Sequence, residues 1–428
     1  MRTYYLNKLS QEETTLLTKR EVINLEKIID AVNLLLNDIK ANGLKAALSY
    51  AKLFDGFDSE DILVTKKEFD EAEKNLDIKI KSAIITAFKN IEKFHIKQLP
   101  VKYETETMKG IICSREFRAI ENVGLYIPGG SAVLPSTMLM LGVPAMIAGN
   151  PRVIACSPSK NNKINYPLLF AAKLCGINNF YKLGGAHAIG LMAYGDERVL
   201  KVNKIFGPGN QYVTAAKLLV SIDPDGCSID MPAGPSEVLV IADSSANSSF
   251  VAADLLSQAE HGADSQVILI TTSLGMANDI ELELVNQLEL LPRKSFASQA
   301  LENSFILITE DINKAIEFSN KYAPEHLILN VKEPESYISN ILNAGSVFLG
   351  QYSPESAGDY ASGTNHSLPT YGYAKTYGGV SVESFTKAIT FQKLSREGLE
   401  NISETIETLA DAEGLSAHKY AVQIRLKK

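Results

Sequence analysis

Five of the chain's six histidines stand in short polar segments where the helix and strand patterns break. They are His187 (GGAHAIG), His261 (SQAEHG), His326 (APEHL), His366 (SGTNHSLP) and His418 (EGLSAHK). Only His95 (NIEKFHIKQ) sits in an ordinary amphipathic stretch, and it reads as a surface or hydrogen-bonded helix residue. Imidazole changes charge near neutral pH and is the commonest metal ligand. Glu325, Asp359 and Glu413 lie close in sequence to three of these histidines. A scarce side chain gathered at breaks beside carboxylates points to an enzyme site, with a metal among the options.

The spacing within the segments adds detail. Gln258 and His261 are three apart in FVAADLLSQAEHG, a helix that Gly262 should stop, so both side chains share one helix face. An amide oxygen and an imidazole so placed can share a metal; a polar helix end with His near the dipole explains the pair as well. Glu325-His326 opens a strand run after Pro324, and such a pair can exchange protons near pH 7. Ser356 to His366 is a long, polar, glycine-bearing loop, of the kind that carries function inside an α/β fold. Glu413 and His418 flank a helix break near the C-terminus and, taken alone, read as solvated helix ends. Three glycine turns each follow a strand-like run and precede a helical one: Tyr126 to Gly130, Gly184 to His187, and Gly207 to Asn210. Such turns suit a phosphate or other anion at a helix N-terminus. GxGxxG is absent, so no standard dinucleotide fingerprint is signalled. Cys113, Cys156, Cys175 and Cys227 include no Cys-x-x-Cys pair, which argues against a thiolate zinc knuckle. Cys227 remains a weak nucleophile candidate.

These residues need a scaffold. A chain of 428 residues exceeds one simple core and implies about two to three domains. Residues 21–98 read as helices, with apolar positions from Val22 to Leu35 at three- and four-residue spacing. From about residue 110, short β-rich runs alternate with helical stretches: GLYIP, RVIACSP, NKIFGP, EVLVIAD, SQVILITT, SFILIT, HLILNV and GSVFLG. That alternation predicts an α/β fold of two Rossmann-like parallel-sheet units. After about residue 381 the pattern returns to helix, giving an extended helical C-terminal tail. A net charge of −8 without a basic cluster argues against nucleic-acid or membrane-surface partners. No apolar run approaches a membrane span, and the first residues lack a secretion signal's apolar core, so a cytoplasmic protein is expected.

Taken together, VGLYIPGGSA (123–132), KIFGPGN (204–210), IDMPAGPSEVLVIAD (229–243), DLLSQAEHG (254–262), PEHLI (324–328), GSVFLG (345–350) and SPESAGDYASGTNHSLPTYGY (353–373) resemble the histidinol dehydrogenase family. The resemblance spans nearly the whole chain. It implies zinc-dependent oxidation of L-histidinol to L-histidine through L-histidinal, with two NAD+, as the last step of histidine biosynthesis. It further implies Gln258, His261, Asp359 and His418 as ligands of one zinc ion per site. Glu325 and His326 match the acid–base pair. Ser236, His366 and Glu413 match substrate-contacting positions, as do His326 and the zinc ligands. Tyr126, His187 and Asn210 match NAD contacts, although the family pattern carries glutamine where this chain has His187, which implies some pH sensitivity. The implied layout is an N-terminal segment (1–20) at a homodimer contact, a domain of 21–122 and 238–380 with most of the zinc and substrate site, an NAD-binding domain (123–237), and a mainly helical tail (381–428) lending Glu413 and His418 to the partner's site. A zinc hydrolase and a non-catalytic α/β binding protein compete. The missing HExxH and the three glycine turns weigh against the first; the complete ligand and acid–base set weighs against the second.

Overall fold

Glu237–Ala242 (EVLVIA) is buried at every position, which a strand allows only when both faces of its sheet are covered. The computed structural model describes the chain except residues 21–24, 130–133, 233 and 428. Val22, Ile23 and Gly130 of the patterns above therefore lie outside the described residues. In chain order the strands are β1 (Arg2–Tyr5), β2 (Tyr103–Met108), β3 (Ile111–Ala119), β4 (Asn122–Tyr126), β5 (Arg152–Cys156), β6 (Asn179–Tyr181), β7 (Lys204–Phe206), β8 (Ser228–Ile229), β9 (Glu237–Ala242), β10 (Gln266–Thr271), β11 (Phe305–Ile308), β12 (His326–Asn330), β13 (Ser346–Leu349) and β14 (Thr386–Leu394). The α-helices are α1 (Gln11–Leu17), α2 (Leu25–Asp55), α3 (Lys66–Asn75), α4 (Ile78–His95), α5 (Pro135–Ala148), α6 (Tyr166–Leu174), α7 (Gly185–Tyr194), α8 (Gln211–Ile222), α9 (Ser248–Ala259), α10 (Leu274–Leu288), α11 (Lys294–Glu302), α12 (Ile312–Tyr322), α13 (Glu355–Tyr360), α14 (Arg396–Ala412) and α15 (Ser416–Leu426).

Two parallel sheets result. One runs β6-β5-β4-β7-β8, the other β1-β11-β10-β9-β12-β13. Apart from the added edge strand β1, both are wound alike: the first strand of each is central, two follow on one side and two on the other. The α/β expectation with two parallel units therefore holds. A third, antiparallel sheet, β14-β3-β2, is a ribbon exposed along most of β2 and β14.

The packing departs from the expected grouping in one place. Residues 21–122 were expected with 238–380, but α2 packs on α7 and α8, α3 on α6, and α4 on α5. These helices cover the five-stranded sheet. Helical periodicity shows that a face is buried without showing against what. The region after residue 381 is mainly helical, opening with a short 3-10 helix (Val382–Phe385) and β14 before α14 begins at Arg396. In the N-terminal segment, β1 pairs in parallel with β11 at the edge of the six-stranded sheet. At the other end, α14 and α15 pack on each other and leave Leu409, Tyr420 and Ile424 exposed.

Candidate active site

The central strands set the geometry. Glu325 and His326 lie at the amino end of β12, beside Glu237 at the amino end of β9. The Glu237 backbone holds both: its N–H donates to Glu325 Oε2 (2.8 Å), and its carbonyl accepts from His326 Nδ1 (3.2 Å). That bond puts a proton on Nδ1 and turns Nε2 toward Asp359, 3.6 Å away. Nε2 is buried and has no hydrogen-bond partner among the described residues.

Glu355 and Asp359 are four apart on α13, so both face the same way. The Glu355 carboxyl is 3.9 Å from His326 Nδ1. With the Gln258 amide turned so that its nitrogen faces Glu355, that nitrogen donates to both carboxyl oxygens. His261 lies just past the end of α9 rather than on it; its N–H donates to the Gln258 carbonyl (3.1 Å). Its ring is near enough to Asp359 and His326 for their charges to act on it. His366 closes one wall: Nδ1 donates to the Asp359 carbonyl (2.9 Å), and Nε2 meets Thr137 Oγ1 of α5 at 3.2 Å. Ser236 directly precedes β9.

Electrostatics follow from this crowding. Burial pushes Glu325 up to about 8 and Asp254, one turn before Gln258 on α9, up to about 7. Burial also drives Glu355 well above the carboxylate range. For His326, burial opposes the charged ring, but Glu355, Glu325 and Asp359 outweigh it and carry the value to about 10. Burial acts to raise Asp359 too, yet His326, His366 and His261 hold it below its ordinary value. Burial lowers His366. Four carboxyls and three imidazoles sharing one buried end form a donor set that suits a divalent cation. His326, Glu355 and Asp359 alone place a ligand atom each within 4.8 Å of one another.

The second group of expected residues lies on the five-stranded sheet. Tyr126 ends β4 and Asn210 follows β7, the two strands between which the winding reverses. Ligands of open parallel sheets bind outside the carboxyl ends at such a reversal. The Tyr126 hydroxyl accepts the Gly185 N–H at the start of α7 (3.0 Å). Asn210 caps α8, its side-chain oxygen accepting from Tyr212 and Val213 N–H, which leaves its amide N–H₂ free to donate. His187 is fully buried on α7, with Nε2 3.1 Å from the Asp55 carboxylate at the end of α2. The glycines have reasons of their own: a Cβ on Gly129 or Gly184 would strike the Pro158 ring, and Gly207 (φ 124°) lies against the Tyr126 carbonyl. The turns are therefore tight because of packing, whatever they bind.

The structure thus gathers Ser236, Gln258, His261, Glu325, His326, Asp359 and His366 at one place, and Tyr126 and His187 at another, with Asn210 across the reversal. It does not bring in Glu413 and His418, which are exposed on the tail. The sequence reading missed Glu355, Glu237, Arg20 and Asp55. Of these only Glu355 left a signal, its four-residue spacing from Asp359. His95 is buried and hydrogen-bonded on α4, the second of its two readings. Nδ1 donates to the Ile91 carbonyl (2.9 Å), and Nε2 meets Asn365 of the 356–366 loop.

Comparison with known proteins gives a consistent result. A family model for histidinol dehydrogenase matches residues 18–426. Histidinol dehydrogenase of Vibrio vulnificus (strain YJ016) is 50% identical over 429 residues, covering 100% of this chain and 99% of that protein. The Yersinia pestis histidinol dehydrogenase is 52% identical over 418 residues, covering 97% and 94%. The crystal structure of histidinol dehydrogenase from Elizabethkingia anophelis superposes with a TM-score of 0.96 at 52% identity, covering 100% of this chain and 98% of that one.

Proposed function

The chain belongs to the histidinol dehydrogenase family, and on that premise we propose that it oxidises L-histidinol to L-histidine through L-histidinal, reducing two NAD+, as the last step of histidine biosynthesis. The observation that carries this reading is the buried, unpartnered Nε2 of His326 facing Asp359 beside Glu325. Gln258, His261 and Asp359 would hold one zinc ion with the partner subunit's copy of His418. An amide oxygen, two imidazoles and a carboxylate suit a catalytic zinc. When bound, that ion would offset the local carboxylate charge and grip the substrate's nitrogens. NAD+, held by Tyr126, His187 and Asn210, would accept each hydride.

With a bound ion offsetting the carboxylates that otherwise hold the ring charged, His326 would be neutral, and its Nε2 would take the hydroxyl proton as hydride leaves the carbinol carbon. Nδ1–H, fixed on the Glu237 carbonyl, keeps Nε2 aimed. Glu325 then takes a proton from the water that adds to the aldehyde, giving a hydrate that can lose a second hydride. Ser236, His366 and Glu413 contact the substrate, Glu413 meeting one of its cationic nitrogens. Glu413 and His418 reach the site from the partner of a homodimer. The enzyme works in the cytoplasm. Among the described residues no helix is long and apolar enough to cross a membrane.

The test is NADH absorbance with L-histidinol and NAD+, with and without a chelator. NADH formation that the chelator abolishes supports the reading. Absence of NADH with zinc-loaded protein rejects it in favour of a hydrolase or a binding protein.

A further inference from the structure

Arg20 lies outside every segment that carries the proposed chemistry, on the stretch between α1 and α2. Its side chain is buried, with 9% of its surface exposed, and all five of its N–H groups are used. Nε and Nη2 donate to the two oxygens of Glu237 (2.8 and 2.7 Å). Nη1 donates to the carbonyls of Tyr322 (2.6 Å) and Thr18 (3.2 Å), and Nη2 also to that of Ala323 (3.3 Å). The guanidinium lies 3.5 Å from the centre of the Tyr322 ring.

Apart from the local bond to Thr18, these holds lead to the acid–base pair. Glu237 is the residue whose N–H meets Glu325 and whose carbonyl meets His326. Tyr322 and Ala323 are the residues from which the chain turns through Pro324 into Glu325, and Ala323 takes a left-handed conformation (φ 56°) to make that turn. The Tyr371 N–H adds a further bond to Glu237 Oε1 (2.9 Å), bringing in the chain beyond the His366 loop. One planar fork thus clamps the start of β9 to the entry of β12. A lysine, with one compact charge, cannot grip both.

We propose that Arg20 is a positioning residue for Glu325 and His326, acting through Glu237 and the 322–323 carbonyls from a segment otherwise remote from the chemistry. This rests on reading Glu325 and His326 as the acid–base pair. The fork fixes the relative height of the two strand ends, and so which imidazole nitrogen faces the substrate. A loss of about 1 Å in such alignment costs on the order of 100-fold in rate.

The test is steady-state kinetics of the zinc-loaded enzyme carrying Arg20→Ala or Arg20→Lys, beside Glu325→Gln and His326→Gln. We expect kcat of the Arg20→Ala enzyme to fall about 10- to 100-fold, with KM for NAD+ and histidinol and the zinc content little changed. Guanidinium ion in the buffer should restore part of that kcat in Arg20→Ala. Arg20→Lys should stay well below wild type. A lowered melting temperature with unchanged kcat would make Arg20 a structural brace only and overturn the proposal, as would a parallel rise in both KM values. If Arg20→Ala does not fold, Arg20→Lys and Glu237→Gln decide by the same split between kcat and KM. Full activity in Glu325→Gln and His326→Gln would instead reject the acid–base reading itself.

Discussion

His261 is the residue whose removal separates metal from fold most cleanly. It sits in a turn and contributes nothing to the apolar core, so His261→Ala should keep the native circular dichroism spectrum. Zinc affinity should drop more than about 100-fold, since even a residue behind the ligands costs 10- to 100-fold. A full zinc complement by metal analysis would refute the ligand assignment. Glu325 makes a pH prediction. Burial raises it to about 8, and a general base works only deprotonated. Histidinal oxidation should therefore climb about tenfold per pH unit below 8 and level off above it. Glu325→Gln should flatten that rise and slow this half-reaction by about 10²–10⁴-fold, more than the alcohol step. Equal slowing of both in single-turnover measurements would count against separate roles. At this scale the sequence was readable where a residue type is scarce and its neighbours are polar, as with His326 and Asp359. Arg20 and Asp55 were invisible, because each has its meaning from a partner far along the chain: Glu237 for one, His187 for the other.

Among the elements, the turn before α8 has its own support. Lys217 donates to the Gly207 carbonyl (2.8 Å) and to Asp230, while Asp230 accepts the Gly207 N–H (2.8 Å). Both side chains are about 95% buried. Lys217→Met leaves Asp230 buried without its cation, which should cost about 3–5 kcal/mol by urea unfolding and raise KM for NAD+ through Asn210. Unchanged stability would mean that Asp230 finds water or another donor. The runs GLYIP, RVIACSP, NKIFGP, EVLVIAD, SQVILITT, SFILIT, HLILNV and GSVFLG all fall on observed strands. They were visible because a parallel strand covered on both faces is apolar throughout. β2 and β14 escaped notice for the opposite reason: YETETM and TKAITFQKL are polar and almost wholly exposed, so no periodicity marks them. β6 and β8 are too short to leave a pattern.

For the molecule as a whole, the tail decides how each site is assembled. If α15 crosses to a partner, each site takes Gln258, His261 and Asp359 from one chain and His418 from the other. Inactive His261→Ala and His418→Ala proteins, unfolded and refolded together, should then regain activity in about a quarter of all sites, because a two-fold dimer pairs at random. No recovery with heterodimers present by mass would confine each site to one chain. The edge pairing of β1 has a consequence for the order of assembly. Residues 2–5 leave the ribosome roughly 300 residues ahead of their partner β11. The five-stranded sheet is contiguous in sequence and can close during synthesis, while the first strand and Arg20 wait for the second sheet. Catalytic competence should therefore be among the last properties the nascent chain acquires. In refolding, amide protection at Phe305–Ile308 and the return of turnover should coincide, both lagging protection of β4 and β5.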